Sequence, residues 1–214
     1  LKSVEGSPSK EEETPGRKGF HKSQVAAGAR LMIQGLGLDL NDPNLIDTPR
    51  RVAKAYREFC AGLYNADGSL EAILGRKFPS NHDEMVFSGP IHSVGVCPHH
   101  LVPVEMSSFF AYIPTGQVVG LSKIPRFIKM LSARPVLQED LAKEIADKFM
   151  EYVKPLGVAL LVEARHGCMA HRGVHEQDTT VDTVAMRGVF REDVGMKEEF
   201  HHSVARRKRH SNGG

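Results

Sequence analysis

The stretch Gln138–Cys168, QEDLAKEIADKFMEYVKPLGVALLVEARHGC, changes its hydrophobic period half-way along. Leu141, Ile145, Phe149 and Tyr152 or Val153 recur at spacings of three or four, which is one face of an α-helix, and the helix should stop before Lys154-Pro155-Leu156-Gly157. From Gly157 the apolar run GVALLVEARHGC predicts a strand. Side chains alternate along a strand, so His166 and Cys168 are expected on the same face.

Working outward, Glu84–Val96 (EMVFSGPIHSVGV) and Val102–Pro114 (VPVEMSSFFAYIP) read as strands, the second closed by the turn-like PTGQ before VVGL. Ser122–Ala133 reads as a short helix, Thr179–Phe190 as a strand and Gly195–Arg207 as a last helix. Strands, then helices, then strands make an α+β order, unlike the strict alternation of a parallel nucleotide-binding sheet. The N-terminal third is helical: Ser23–Leu38 has helical periodicity, and Asp47–Leu63 offers a cap at Asp47 or Thr48, Pro49 in the first turn, and Val52, Tyr56 and Phe59 on one face. Four segments are expected: a disordered segment 1–19 rich in Ser, Pro, Glu and Lys, a helical segment 20–78, a catalytic domain 79–204, and a basic, mobile tail 205–214.

The chain has 214 residues, 41% of them hydrophobic, enough for one buried core with an appended segment. Lys and Arg number 28 against 26 Asp and Glu, a net charge of +2 that is too balanced for a protein devoted to nucleic acid. No apolar run is long enough to span a membrane, and the opening LKSVEGSPSKEEETPGRKG lacks the apolar core of a secretory signal, although Leu1 as first residue leaves an earlier leader open. Three cysteines do not make a disulfide framework, which points to a reducing, cytoplasmic compartment. Cys60, in REFCAGLY, reads as a buried small hydrophobe.

The other two cysteines belong to donor clusters. Cys97 and His100, in GVCPHHL, form a C-x-x-H pair that can reach one tetrahedral ion from a tight turn, and Cys168, in RHGC, adds a second thiol. Thiolates and imidazole favour Zn2+ over magnesium or calcium. A closed structural site would use Cys97, Cys168 and two of His99, His100 and His166. A catalytic site would use Cys97, His100 and Cys168 and keep one position for water, leaving His99 and His166 as proton carriers. About seventy residues separate the clusters, where structural zinc prefers short paired ligands. Hydrolysis is the reaction class such an open site suits.

Between the clusters, Ser122 can cap a helix whose first turn holds Lys123 and Arg126. Cations there oppose the helix dipole unless an anion is expected, so this is a candidate phosphate seat, with a plain solvated helix start as the alternative. Arg51 and Arg172 are further phosphate candidates. Gln138 and Glu139 open the next helix, where a glutamate could accept two hydrogen bonds from the N–H and NH2 edge of a guanine, or simply face the dipole.

In order and spacing, DTPRRVAKAYREF, CPHHLVP, FFAYIPTGQVVGLSKIPR, ARPVLQEDLAKEIAD, EARHGCMAHRGV and AMRGVFRED resemble GTP cyclohydrolase I, from about Ser23 to about Phe200. The resemblance implies a tunnelling fold, an antiparallel sheet with helices packed on one face, joined into a ring-shaped homo-oligomer, typically a decamer, and preceded by a helical segment. It implies hydrolysis of GTP at C8, loss of formate and re-closure to 7,8-dihydroneopterin triphosphate, the entry to tetrahydrofolate or tetrahydrobiopterin synthesis, with a regulatory protein as a further possible partner. Carried over by position, Cys97, His100 and Cys168 are zinc ligands, and His166 and His99 the catalytic pair. Arg51, Ser122, Lys123, Arg126 and Arg172 hold the triphosphate, some from a neighbouring subunit, and Gln138 with Glu139 reads guanine. Three positions depart from the family pattern: Pro98, where an acidic residue is usual, His171 and Val184. They motivate an alternative, a catalytically silent relative that binds GTP or a pterin and regulates a partner. The tail ARRKRH motivates a third reading, a zinc-stapled nucleic-acid module, against which the near-neutral charge counts.

Overall fold

The computed structural model describes residues 19–64 and 66–211. The first helices are α1 (Lys22–Gly35), α2 (Thr48–Phe59), α3 (Ala61–Tyr64) and α4 (Ala66–Leu74). They lead into β1 (Lys77–Pro79), β2 (Val86–Val96), β3 (Pro103–Ile113) and β4 (Gln117–Val119). Then follow α5 (Lys123–Ser132), α6 (Gln138–Val153), β5 (Gly157–His166), α7 (Gly167–Ala170), β6 (Val181–Gly188), α8 (Val189–Glu192) and α9 (Val194–Ser211). The period change in Gln138–Cys168 thus marks the α6–β5 junction. There Lys154 adopts the left-handed conformation (φ 55°) and its N–H closes on the Met150 carbonyl at 3.1 Å. β1, which lies across the expected boundary at residue 78, pairs with β4 as a separate two-stranded sheet.

The main sheet has four antiparallel strands in the order β2-β3-β5-β6. β2 carries one extra residue between Ser88 and Ile91, a bulge at Gly89-Pro90, which is where a proline fits a sheet. β3 and β5 run side by side from Val104↔His166 to Ile113↔Gly157.

Both central strands are apolar and buried without interruption over Phe109–Ile113 and Gly157–Val162, so both sheet faces must be covered there. Phe110, Tyr112, Val158, Leu160 and Val162 face α5 and α6, where the Phe149 ring lies 4.8 Å from Phe110, 5.1 Å from Tyr112 and 5.9 Å from Phe127. Phe109, Ala111, Ile113, Ala159 and Leu161 face the other way, onto Phe190 of α8 and Phe200 and Val204 of α9. The expectation of helices on one face therefore holds for α5 and α6 and is corrected by α9. That helix runs to Ser211, so the stretch from Ala205, expected as a mobile tail, is helical as far as 211. Lys208 ion-pairs with Glu163 of β5 and lies 5.8 Å from the Phe109 ring centre, and Arg207 sits over Phe87, which is why the basic stretch stays on the sheet. The expectations for residues 1–18 and 212–214 fall outside the described residues.

Phe200 centres the second face, its ring 6.2 Å from Phe87 and 6.3 Å from Phe190. Phe200→Ala should cost about 3–5 kcal/mol. In urea unfolding, a lower midpoint with an unchanged slope is the expected result.

Candidate metal centre and active site

β2 ends at Val96, and the chain turns back through Cys97–Leu101 into β3. The Leu101 N–H donates to the Cys97 carbonyl and the Cys97 N–H to that of Val102, each at 2.9 Å, with Leu101 in the left-handed region (φ 55°). The turn is braced from outside, because the Tyr56 hydroxyl of α2 donates to the Leu101 carbonyl at 2.6 Å. Helical spacing placed Tyr56 on the packing face of α2 and gave no sign of this second task. Cys60 is buried as expected.

Beside this turn the opposite strand also ends. β5 stops at His166, paired with Val104, and Gly167–Ala170 winds into α7. A Cβ at Gly167 would stand 2.7 Å from the Pro103 carbonyl oxygen, so glycine lets the two turns approach. Cys168 is therefore helical, and strand alternation does not relate it to His166. It is the helical turn that swings its thiol toward the first cluster.

The outcome is one constellation. Sγ of Cys97, Sγ of Cys168 and a ring nitrogen of His100 all lie within 4.8 Å of one another. Cys97 Sγ is 3.7 Å from His100 Nδ1. Tetrahedral zinc with bonds of about 2.0–2.3 Å spaces its ligand atoms at about 3.3–3.8 Å, so the donor set fits after a small contraction. Burial raises the Cys168 thiol above its ordinary value, the Cys97 thiol adds to this, and Arg172 opposes it. A cation among these sulfurs would reverse that preference.

Arg172, on the loop after α7, donates to His100 Nε2. A guanidinium has no lone pair to give, so Nε2 must be the acceptor. A metal on Nδ1 would require the proton on Nε2, and a metal on Nε2 would stand where the guanidinium is. Either way, a metal on His100 would not be compatible with the Arg172 contact as it stands.

His166 is half-buried, and burial lowers its pKa below the ordinary imidazole value against the pull of the Glu139 carboxylate. Its Nε2 lies 2.9 Å from Gln138 Oε1, and Gln138 Nε2 donates to the carbonyls of Val162 at 3.0 Å and Val181 at 2.8 Å. Gln138 is 5% exposed, whereas its neighbour Glu139 is open to solvent. His99 is exposed, its ring 6.4 Å from that of His100.

The cationic helix start is not brought to the cluster within one chain. The far end of α5 is the end near the turn, since Arg134 O accepts from Val96 N at 3.3 Å; ten helical residues at about 1.5 Å each put Ser122 about 15 Å from that end. Ser122 takes the N-cap position without a side-chain cap bond, and Lys123 reaches the Ala72 carbonyl at 3.4 Å. Arg126 is exposed. Asp47 likewise stands at the N-cap of α2 without capping it, and instead pairs with Arg50 at 3.4 Å and Arg51 at 3.5 Å. Of the three unusual positions, Pro98 and His171 are exposed, and Val184 is 47% exposed on β6.

Residues 25–205 match the model of the GTP cyclohydrolase I family. A GTP cyclohydrolase 1 of Bartonella quintana is 40% identical over 187 residues, which cover 86% of this chain and 89% of the relative. One from Clostridium perfringens is 38% identical over 184 residues, covering 86% and 98%. One from Mycobacteroides abscessus is 40% identical over 182 residues, covering 84% and 88%. Among solved structures, an archaeosine synthase QueF-like protein overlaps 51% of the chain at a TM-score of 0.40 and 22% identity, too slight a likeness to carry a conclusion.

Tyr56→Phe removes the brace on the Leu101 carbonyl while leaving the ring. Outer partners of a metal site are worth about 10–100-fold in affinity. The variant should therefore lose a bound divalent metal about tenfold more readily in chelator competition, with its helix content unchanged.

Proposed function

The chain belongs to the GTP cyclohydrolase I family, and from that premise we propose that it opens GTP hydrolytically at C8, releases formate and re-closes the product to 7,8-dihydroneopterin triphosphate. This is the entry step to folate or biopterin synthesis. The observation that carries the reading at the site is the convergence of Cys97, His100 and Cys168 beside His166.

Cys97, His100 and Cys168 would hold Zn2+. Zinc bound there supplies a Lewis acid that lowers the pKa of water toward about 7. His166, whose pKa burial lowers, accepts and returns a proton as the imidazole ring of GTP opens. His99, exposed next to His100, is the second proton carrier. Glu139 accepts hydrogen bonds from the N–H and NH2 edge of guanine at the solvent-facing start of α6. Arg172, beside His100, joins Arg51, Ser122, Lys123 and Arg126 on the triphosphate. The last three belong to a neighbouring copy, in keeping with their distance from the cluster of their own chain.

A ring of such copies, a decamer with the tunnelling fold, suits two features. β2 and β6 carry the outer edges of the sheet, and α1 with the loop that follows it exposes apolar side chains at Leu31, Met32, Leu36 and Ile46. Among the described residues no helix is long and apolar enough to cross a membrane, and the three free cysteines suit a reducing cytoplasm.

Zinc-loaded protein given GTP should yield formate and, after oxidation, a fluorescent pterin; GTP bound without either product would instead mark a silent relative. Cys168→Ala should lose both zinc and product. His166→Ala should keep zinc and lose turnover by about 10²-fold or more. Metal analysis alongside the assay separates the two.

A further inference from the structure

We infer that Gln138 is a positioning residue for His166: its buried carboxamide fixes the imidazole in the Nε2–H tautomer, leaving Nδ1 as the ring's proton acceptor, and it does not read guanine. The inference rests on His166 acting in the turnover proposed above.

The argument is one of donors and acceptors. Two backbone carbonyls, of Val162 in β5 and Val181 in β6, converge on one end of the amide at 3.0 and 2.8 Å. Carbonyls only accept, so that end must be the NH2 group with both hydrogens engaged. A flipped amide would press its oxygen against two carbonyl oxygens. The other end is therefore Oε1, which can only accept, and it lies 2.9 Å from His166 Nε2. Nε2 must carry the hydrogen, and in a neutral ring Nδ1 then does not.

The three partners come from two strands, Val162 and His166 from β5 and Val181 from β6, so the amide cannot turn without breaking the start of α6 from both. No donor is left for a base, and at 5% exposure the oxygen is committed to the imidazole. The pair that the resemblance assigns to guanine thus divides: Glu139 faces solvent, and Gln138 faces the acid–base residue. A third group that orients the base is the usual complement of such chemistry.

The test uses the full zinc-loaded chain, with kcat, GTP dissociation constant and bound zinc measured for wild type, Gln138→Met, His166→Ala and the double variant. Gln138→Met keeps the volume and removes the polar contacts. It should lower kcat about 10²-fold with GTP affinity and zinc within about twofold, and should cost less than about twofold when added to His166→Ala. A tenfold weaker GTP affinity with kcat retained, or a loss that adds in full to that of His166→Ala, would overturn the inference. Should the Met variant fail to fold, Gln138→Glu decides: as a neutral carboxyl it keeps an acceptor for Nε2–H and one donor. It should stay within about tenfold of wild-type kcat, and a larger fall or weaker GTP binding counts against the inference.

A readout free of turnover is the 15N spectrum of histidine-labelled protein, with His166 assigned by difference from His166→Ala. Wild type should show a protonated Nε2, and Gln138→Met a mixture of tautomers. A wild type protonated at Nδ1 overturns the positioning role. A wild type with the Nε2–H form but no GTP turnover would uphold that role and overturn the function proposed above.

Discussion

Val104 pairs with His166, and the site hangs on that register point. The two strands are far apart in sequence, yet their ladder ends where the turns bearing Cys97 and Cys168 emerge side by side. A slip of one residue would exchange the faces of every side chain. The two faces are not interchangeable: Phe110 and Tyr112 lock against Phe149 on one side, while Phe109 and Ala111 lie under Phe200 on the other. Register is thus held from both sides by the core. The meeting of two thiols and an imidazole is a consequence of hydrophobic packing as much as of the donors themselves.

What could be read beforehand followed from local physics. The period change placed the α6–β5 junction, and residue type picked out Cys97, His100 and Cys168. What escaped was set by contacts distant in sequence. Nothing local says that Gly167 must approach the Pro103 carbonyl, so the strand was expected to continue to Cys168. The amide of Gln138 is polar at a helix start, which suits solvent or substrate equally until β5 and β6 are seen to bury it. Tyr56 announces its apolar ring through periodicity, but its hydroxyl finds a partner 45 residues away. The basic end of α9 reads as a tail because its value lies in the stems and charges it lays on the second sheet face, whose existence only the apolar doubling of β3 and β5 implies.

The polar parts of the site form a chain of obligations. Arg172 contacts His100, Gln138 settles the proton on His166, and Tyr56 holds the turn that carries the first thiol. Each link joins a different helix or loop to the end of the sheet. Damage to one of those helices would therefore be felt at the reacting end without any reacting group being touched.

The main sheet has an even number of strands, four, and each neighbour pair is antiparallel. Its two edges consequently run in opposite directions. If β6 of one copy lies against β2 of the next by simple rotation, the seam is itself antiparallel, and the alternation passes through it unbroken. Hydrogen-bond geometry at the seam can then equal that inside the subunit, and the number of copies is left to the sheet's twist. A sheet of three or five strands would meet its neighbour in a parallel seam every time.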